Sequence, residues 1–191
     1  MWVPNPSALI PVRTGPTAKR RLAHLLRPDE RAALVRHLLD HVMEVLTHVG
    51  LRVVVLSPEP VDSRETTETW TDEAPGLNAA VDAALVRLGP PVLVVHADLP
   101  LLSAADVESV LDTDSDVVVA RSYDGGTNGL LLRTLVRPAF GVGSAAMHAE
   151  RARRAGLSVS VLDLPGFALD VDDETGLSAS GRGPFARYTR P

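Results

Sequence analysis

Leu51-Arg52-Val53-Val54-Val55-Leu56 is almost entirely apolar, as a strand is when helices cover both faces of a parallel sheet. Its flanks agree with that reading. Upstream, Leu34, Leu38, Val42, Val45 and Val49 recur at helical spacing from about Pro28, and Gly50 stops the run. Pro28 suits a first helical position, and Asp29 and Glu30 favour the positive end of the helix. Before it, Ser7 to Val12 reads as a short buried strand. Downstream, the chain turns at Ser57-Pro58-Glu59-Pro60, and the polar, Thr- and Glu-rich residues Val61 to Pro75 read as an exposed excursion.

Leu77, Val81, Ala84, Leu85 and Leu88 then define an amphipathic helix ending at Gly89. Further strands are expected at Pro91–Val95, Asp116–Arg121, Gly129–Leu132, Leu157–Leu162 and Phe167–Val171, with helices at Ser103–Leu111 and about Ser144–Ala155. Strands and helices alternate over the first 120 residues, which favours a three-layer α/β/α, Rossmann-like fold. The later hairpin makes the sheet mixed, though mostly parallel. A single domain is expected over residues 1–177, followed by a flexible C-terminal tail at 178–191.

Composition excludes several classes. The 191 residues carry a net charge of −5, which argues against a general nucleic-acid surface. Without cysteine there can be no disulfide, thiolate zinc site or cysteine nucleophile. No apolar stretch approaches the roughly 20 residues of a membrane span, and Met1–Pro6 lacks a secretory pattern. A soluble cytoplasmic protein is the expectation. Of the 19 basic residues, Lys19 is the single lysine. It follows the first strand, beside Gly15 and Pro16, where phosphate-binding loops lie; it can mark a place that needs a compact ammonium rather than a planar guanidinium, and it can equally be an ordinary surface lysine.

Two acidic segments could hold a metal. Asp98, in His96-Ala97-Asp98-Leu99-Pro100, follows an apolar strand directly, and open α/β sheets bind ligands at the carboxyl ends of their strands. In Leu169-Asp170-Val171-Asp172, an extended chain would put Asp170 and Asp172 on one face. Together the three carboxylates suit Mg²⁺, a hard ion that prefers oxygen ligands. Asp98 can equally cap a turn, and the pair can equally be a solvated strand end.

Three turns suit anions or nucleotides. Asp124-Gly125-Gly126-Thr127-Asn128 is a hairpin turn whose glycines allow close backbone approach, with the Thr127 hydroxyl as a donor. Gly141-Val142-Gly143-Ser144 opens a helix, with His148 one turn later in a supporting or structural place. Pro75-Gly76-Leu77-Asn78 opens another and could meet a base or ribose. No Walker A sequence and no G-x-S-x-G elbow is present.

The ordered series Ala8-Leu9-Ile10-Pro11-Val12, Ala18-Lys19-Arg20-Arg21-Leu22-Ala23, Ala97-Asp98-Leu99-Pro100-Leu101-Leu102, Asp124-Gly125-Gly126-Thr127-Asn128, Phe140-Gly141-Val142-Gly143-Ser144 and Ala168-Leu169-Asp170-Val171-Asp172 resembles the CofC/FbiD guanylyltransferases of deazaflavin coenzyme (F-420) biosynthesis. The resemblance spans roughly residues 8 to 177. It implies a nucleotide-diphospho-sugar transferase-like fold and transfer of GMP from GTP to phosphoenolpyruvate or 2-phospho-L-lactate, with release of pyrophosphate. It implies catalytic roles for Lys19 and Asp98, Mg²⁺ on Asp98, Asp170 and Asp172, and acceptor binding by Thr127, Gly141 and Ser144 with Gly125 and Gly126. Leu9, Pro11, Lys19, Gly76 and Asn78 are the nucleotide candidates. A homodimer and hand-off of product to the next enzyme of the pathway are further expectations.

This chain departs from the pattern at Arg13, where a lysine is usual, at Arg20, where a small serine is common, and at Arg27, where a capping serine often sits. The competing readings are another nucleotidyltransferase of the same fold, acting on a molybdopterin or sugar phosphate, and a non-catalytic GTP-binding module.

Overall fold

A computed structural model describes residues 6–15, 17–61, 67–72, 74–180, 185 and 188. Among the described residues, seven strands form one sheet: β1 (Ser7–Pro11), β2 (Arg52–Ser57), β3 (Thr67–Thr71), β4 (Val92–Val95), β5 (Val117–Arg121), β6 (Thr127–Leu132) and β7 (Val159–Leu162). Their order is β3-β2-β1-β4-β6-β5-β7. Only β6 runs antiparallel to its neighbours, β4 and β5; the other pairs are parallel. The expected mixed, mostly parallel sheet is therefore present. Its helices are α1 (Pro28–His48), α2 (Leu77–Leu88), α3 (Ala104–Asp112), α4 (Ser144–Arg154), α5 (Pro165–Ala168) and α6 (Glu174–Ala179).

Strand alternation builds the three layers. Ala8, Ile10, Val53, Val55, Leu93 and Val95 face a core shared with Leu39, Val42 and Leu46 of α1 and Val107 and Val110 of α3. Leu9, Val54, Val92 and Val94 face the opposite core, with Val81 and Leu85 of α2 and Ala145 and Ala152 of α4. A third cluster joins Leu22, Leu34 and Leu38 to Val171, Leu177, Phe185 and Tyr188. It ties the segment after β1 to the C-terminal part of the chain.

The structure corrects two expectations. The polar excursion contains β3, which pairs with β2 along its whole length. Thr67 and Trp70 are buried and Arg52 meets Glu68 at 2.9 Å. An edge strand needs few apolar residues, so its charge masked it, although Thr and Trp are good strand formers. Phe167–Val171 is not a strand. Pro165 opens the single turn α5, and the Gly166 amide donates to Asp106 Oδ1 at 3.2 Å. Near the C-terminal end of the described residues, α6 spans Glu174–Ala179, and Phe185 and Tyr188 are 3% and 9% exposed. The other residues from 181 onward lie outside the described residues.

Candidate functional site

The chain reverses its direction of winding between β1 and β4, since β1 leads outward to β2 while β4 pairs on its other side. Such a switch point opens a crevice at the carboxyl ends of the strands. Lys19 follows β1 and Asp98 follows β4, so the topology brings them together across 79 residues of sequence.

Lys19 Nζ donates a hydrogen bond to Asp98 Oδ2 and a second, 2.8 Å long, to Asp172 Oδ1. Lys19 is also the only non-glycine with left-handed backbone among the described residues, at φ 49°. The one-turn 3₁₀ helix Arg20–Leu22 follows, with the Leu22 amide on the Lys19 carbonyl at 2.9 Å. Leu22 is fully buried, so the strained residue is clamped from behind. Burial works against the ammonium, but the charges of Asp98 and Asp172 outweigh it and hold Lys19 above the ordinary lysine range. Asp98 is held below the carboxylate range, because attraction to Lys19 overcomes its own burial.

The acidic loop is fixed by backbone: the Val171 amide donates to the Asp98 carbonyl at 3.0 Å. Asp170 and Asp172 are not fellow residues of a strand face. They lie between α5 and α6, and burial, then repulsion from Asp98 and Asp172, pushes Asp170 up to about 6. Among the described residues, no three acidic or histidine side chains are already gathered as a metal cluster. Lys19 instead supplies the positive charge that Asp98 and Asp172 share. Two observations fit the group to a divalent cation all the same. Asp98 Oδ1 is buried with no hydrogen-bond partner among the described residues, and Asp170 is crowded by like charge that a cation would relieve.

Two cavities of about 330 and 380 Å³ open beside this cage and share Pro11, Val12, Arg13 and Leu77 as walls. The first also holds Lys19, Asp98, Asp172 and His96. Among the described residues His96 Nε2 is buried without a hydrogen-bond partner, and the ring lies 5.3 Å from that of Phe140. Residue types and spacing alone assigned His96 no role, although it stands two residues before Asp98 at a strand end. Of the nucleotide candidates, Pro11 lines both cavities and Gly76 lines the second. Leu9 is fully buried in the core and cannot reach either. Asn78 spends its amide on the Phe140 backbone, donating to the carbonyl at 3.0 Å and accepting from the amide at 2.7 Å. It clamps the start of α2 to the loop before α4, which is a structural task.

The glycine-rich turn organises the far side. Gly125 adopts φ +85°, and the Gly126 amide donates to Asp124 Oδ1 at 2.9 Å. Asn128 Nδ2 donates to the Phe167 carbonyl at 3.0 Å, which carries the turn's geometry toward the acidic loop. Thr127 and Ser144 come together at 3.2 Å. Each is almost fully buried (2% and 1% exposed), so they can offer a ligand a hydroxyl edge and little else. Gly141 is exposed, with φ +141°. The amide of Ser144 is taken by the Gly141 carbonyl and that of Ala145 by the Gly125 carbonyl, so the start of α4 offers an anion fewer donors than its sequence suggested.

His148 orders this group. The Ala139 amide donates to His148 Nε2 at 2.8 Å, so the ring proton sits on Nδ1, which reaches Thr127 Oγ1 at 2.9 Å. Thr127 Oγ1 also accepts from Ser144 Oγ. With both acceptor positions filled, Thr127's own proton is left to donate.

Known proteins share this architecture. The model of the family described as "Guanylyl transferase CofC like" matches residues 6–180. The chain is 36% identical over 180 residues to a phosphoenolpyruvate guanylyltransferase of Sphaerobacter thermophilus, covering 86% of this chain and 87% of that one. It is 32% identical over 176 residues to a 2-phospho-L-lactate guanylyltransferase of Methanoregula boonei, at 90% and 80% coverage. It is 34% identical over 201 residues to a 3-phospho-D-glycerate guanylyltransferase of Phenylobacterium zucineum, at 95% and 92% coverage. Among solved structures, a protein of Desulfovibrio desulfuricans G20 described as a nucleotide-diphospho-sugar transferase superposes with a TM-score of 0.76 at 19% identity, covering 95% of this chain and 92% of that one. A Mycobacterium tuberculosis H37Rv protein solved with manganese shares the fold at a TM-score of 0.57 and 16% identity, with 93% and 98% coverage. Among the described residues, no helix is long and apolar enough to cross a membrane.

Proposed function

The chain belongs to the CofC-like guanylyl transferase family, and from that premise we propose that it moves GMP from GTP to the phosphate of phosphoenolpyruvate, with release of pyrophosphate, in coenzyme F-420 biosynthesis. The observation that carries this reading is the cage of Lys19, Asp98 and Asp172, which lines the first of two adjoining cavities. 2-Phospho-L-lactate and 3-phospho-D-glycerate are the alternative acceptors, because relatives of comparable identity are named for them.

The acceptor phosphate is already anionic at pH 7, so it needs no general base. The difficulty is to bring two polyanions together and to stabilise the charge on the transferring group. Asp98, Asp170 and Asp172 would hold Mg²⁺, which when bound polarises the α-phosphate. Lys19, once released by Asp98 and Asp172, counters the charge of the departing pyrophosphate. Pro11 and Gly76 shape the nucleotide cavity. The Thr127 hydroxyl donates to the acceptor's carboxylate or phosphate, with Ser144, Gly141 and the Gly125–Gly126 turn around it. A reaction that draws on GTP in this way fits the cytoplasm.

The test is to incubate the protein with GTP, Mg²⁺ and each of the three acids and to measure pyrophosphate. Release with one acid is expected, and silence with all three would sink the enzymatic reading. Asp98→Asn should lower turnover by about 100-fold or more while the far-ultraviolet circular dichroism is unchanged. Near-normal turnover in that variant would remove Asp98 from the chemistry.

A further inference from the structure

The second cavity has an apolar wall and one carboxylate. Leu56, Pro58, Leu77 and Ala80 supply the wall, and Leu77 remains 41% exposed, which is high for a leucine beside a fold core. The carboxylate is Asp72. It lies just past the end of β3, with its amide on the Ser57 carbonyl at 3.1 Å. Asp72 Oδ1 accepts from the Ala74 amide at 2.8 Å, which fixes the side chain's orientation. Among the described residues Oδ2 has no hydrogen-bond partner, and no cation pairs with Asp72.

An apolar slot edged by an oriented carboxylate is a site for a flat ring that presents adjacent N–H donors. Guanine offers such a pair, N1–H and the 2-amino group. Adenine offers a bare lone pair at N1 and no 2-amino group, so a carboxylate repels it. The cavity shares Pro11, Val12, Arg13 and Leu77 with the one that holds Lys19 and Asp98. A base in the second therefore directs its phosphates into the first.

We propose that Asp72 selects guanine: Oδ2 accepts from the 2-amino group and Oδ1, through its remaining lone pair, from N1–H, while Leu77 and Pro58 cover the ring. Asp72 thus sets specificity for the nucleotide and takes no part in the chemistry. The inference rests on the guanylyltransferase reading above, but its test is separable from it.

Asp72→Asn is the informative variant. Asparagine keeps an oxygen for the Ala74 amide, so the local turn survives, and places an NH₂ where Oδ2 stood. That NH₂ opposes the 2-amino group of guanine but matches the 2-oxo group of xanthine. Equilibrium binding of GTP, ITP, XTP and ATP to the wild-type chain and the variant, measured by calorimetry with Mg²⁺, reads base choice without turnover. The wild-type chain should prefer GTP over ATP by at least about 100-fold and over ITP by roughly tenfold. Asp72→Asn should lose about 100-fold for GTP and gain affinity for XTP, and Asp72→Ala should lose the first without gaining the second. A GTP-over-XTP ratio in Asp72→Asn equal to that of the wild-type chain would overturn the proposal. That result would leave pyrophosphate release by the wild-type chain, and with it the guanylyltransferase reading, untouched.

Discussion

His148 Nδ1 lies 2.9 Å from Thr127 Oγ1, while the Ala139 amide occupies the other ring nitrogen. Burial first, then the charges of Arg151 and His96, lowers this histidine from 6.5 to about 4. A depressed pKa gives stability that is present above the unfolded value and is lost as pH falls through the folded one. The window is therefore about pH 6.5 down to 4, and the loss amounts to about 3 kcal/mol. Thermal melts across that range should show it for the wild-type chain, and His148→Gln should flatten it. A pH-independent difference between the two would contradict the assignment. His148→Leu should raise the acceptor's KM with little effect on that for GTP, because it frees the Thr127 hydroxyl to turn away.

Lys19 and a divalent cation compete for Asp98 and Asp172. Lys19→Met should lower turnover by about 100-fold or more and leave Asp98 buried without its cation. Its melting temperature should then respond more strongly to Mg²⁺ than that of the wild-type chain. Lys19→Arg keeps the charge but brings a planar fork into a cage built for a compact ammonium, so turnover should still fall. Wild-type kinetics in Lys19→Arg would mean that charge alone matters there.

Gly129 is required by contact rather than by backbone angle. A Cβ there would meet Phe167 Cε1 at 2.6 Å and the Cβ of Ala120 at 3.0 Å. Gly129→Ala should cost about 1–3 kcal/mol, and because α5 leads into the acidic loop, activity should fall beyond what the loss of folded protein explains. Differential scanning calorimetry paired with active-site titration separates the two effects.

Phe185 packs in the cluster that also holds Leu22, Leu38 and Val171, residues adjacent to the Lys19 and Asp172 segments. Phe185→Ala should destabilise by about 3–5 kcal/mol and speed proteolytic cleavage after Arg20 or Arg21. An unchanged melting temperature would detach the C-terminal segment from the site.

Much of the fold was legible in the sequence because it rests on local patterns. Val53–Leu56 and Val92–Val95 are apolar runs, α1 repeats at helical spacing, and Gly50 and Gly89 end their helices. The motifs around Lys19, Asp98 and Thr127 were legible as residue types suited to phosphate chemistry. Less visible was whatever depends on partners distant in sequence. β3 exists because β2 offers it an edge, and Phe167 turns into α5 because Asp106 holds Gly166. Leu9 and Asn78 read as nucleotide contacts until packing put one in the core and the other on Phe140. By itself, then, the sequence determined the layers, the family and the chemical inventory, since periodicity and residue type act over a few positions. Only the tertiary structure decided that Lys19 is caged by Asp98 and Asp172, that His148 aims Thr127, and that Asp72 faces a cavity, because each needs two segments brought together by the sheet.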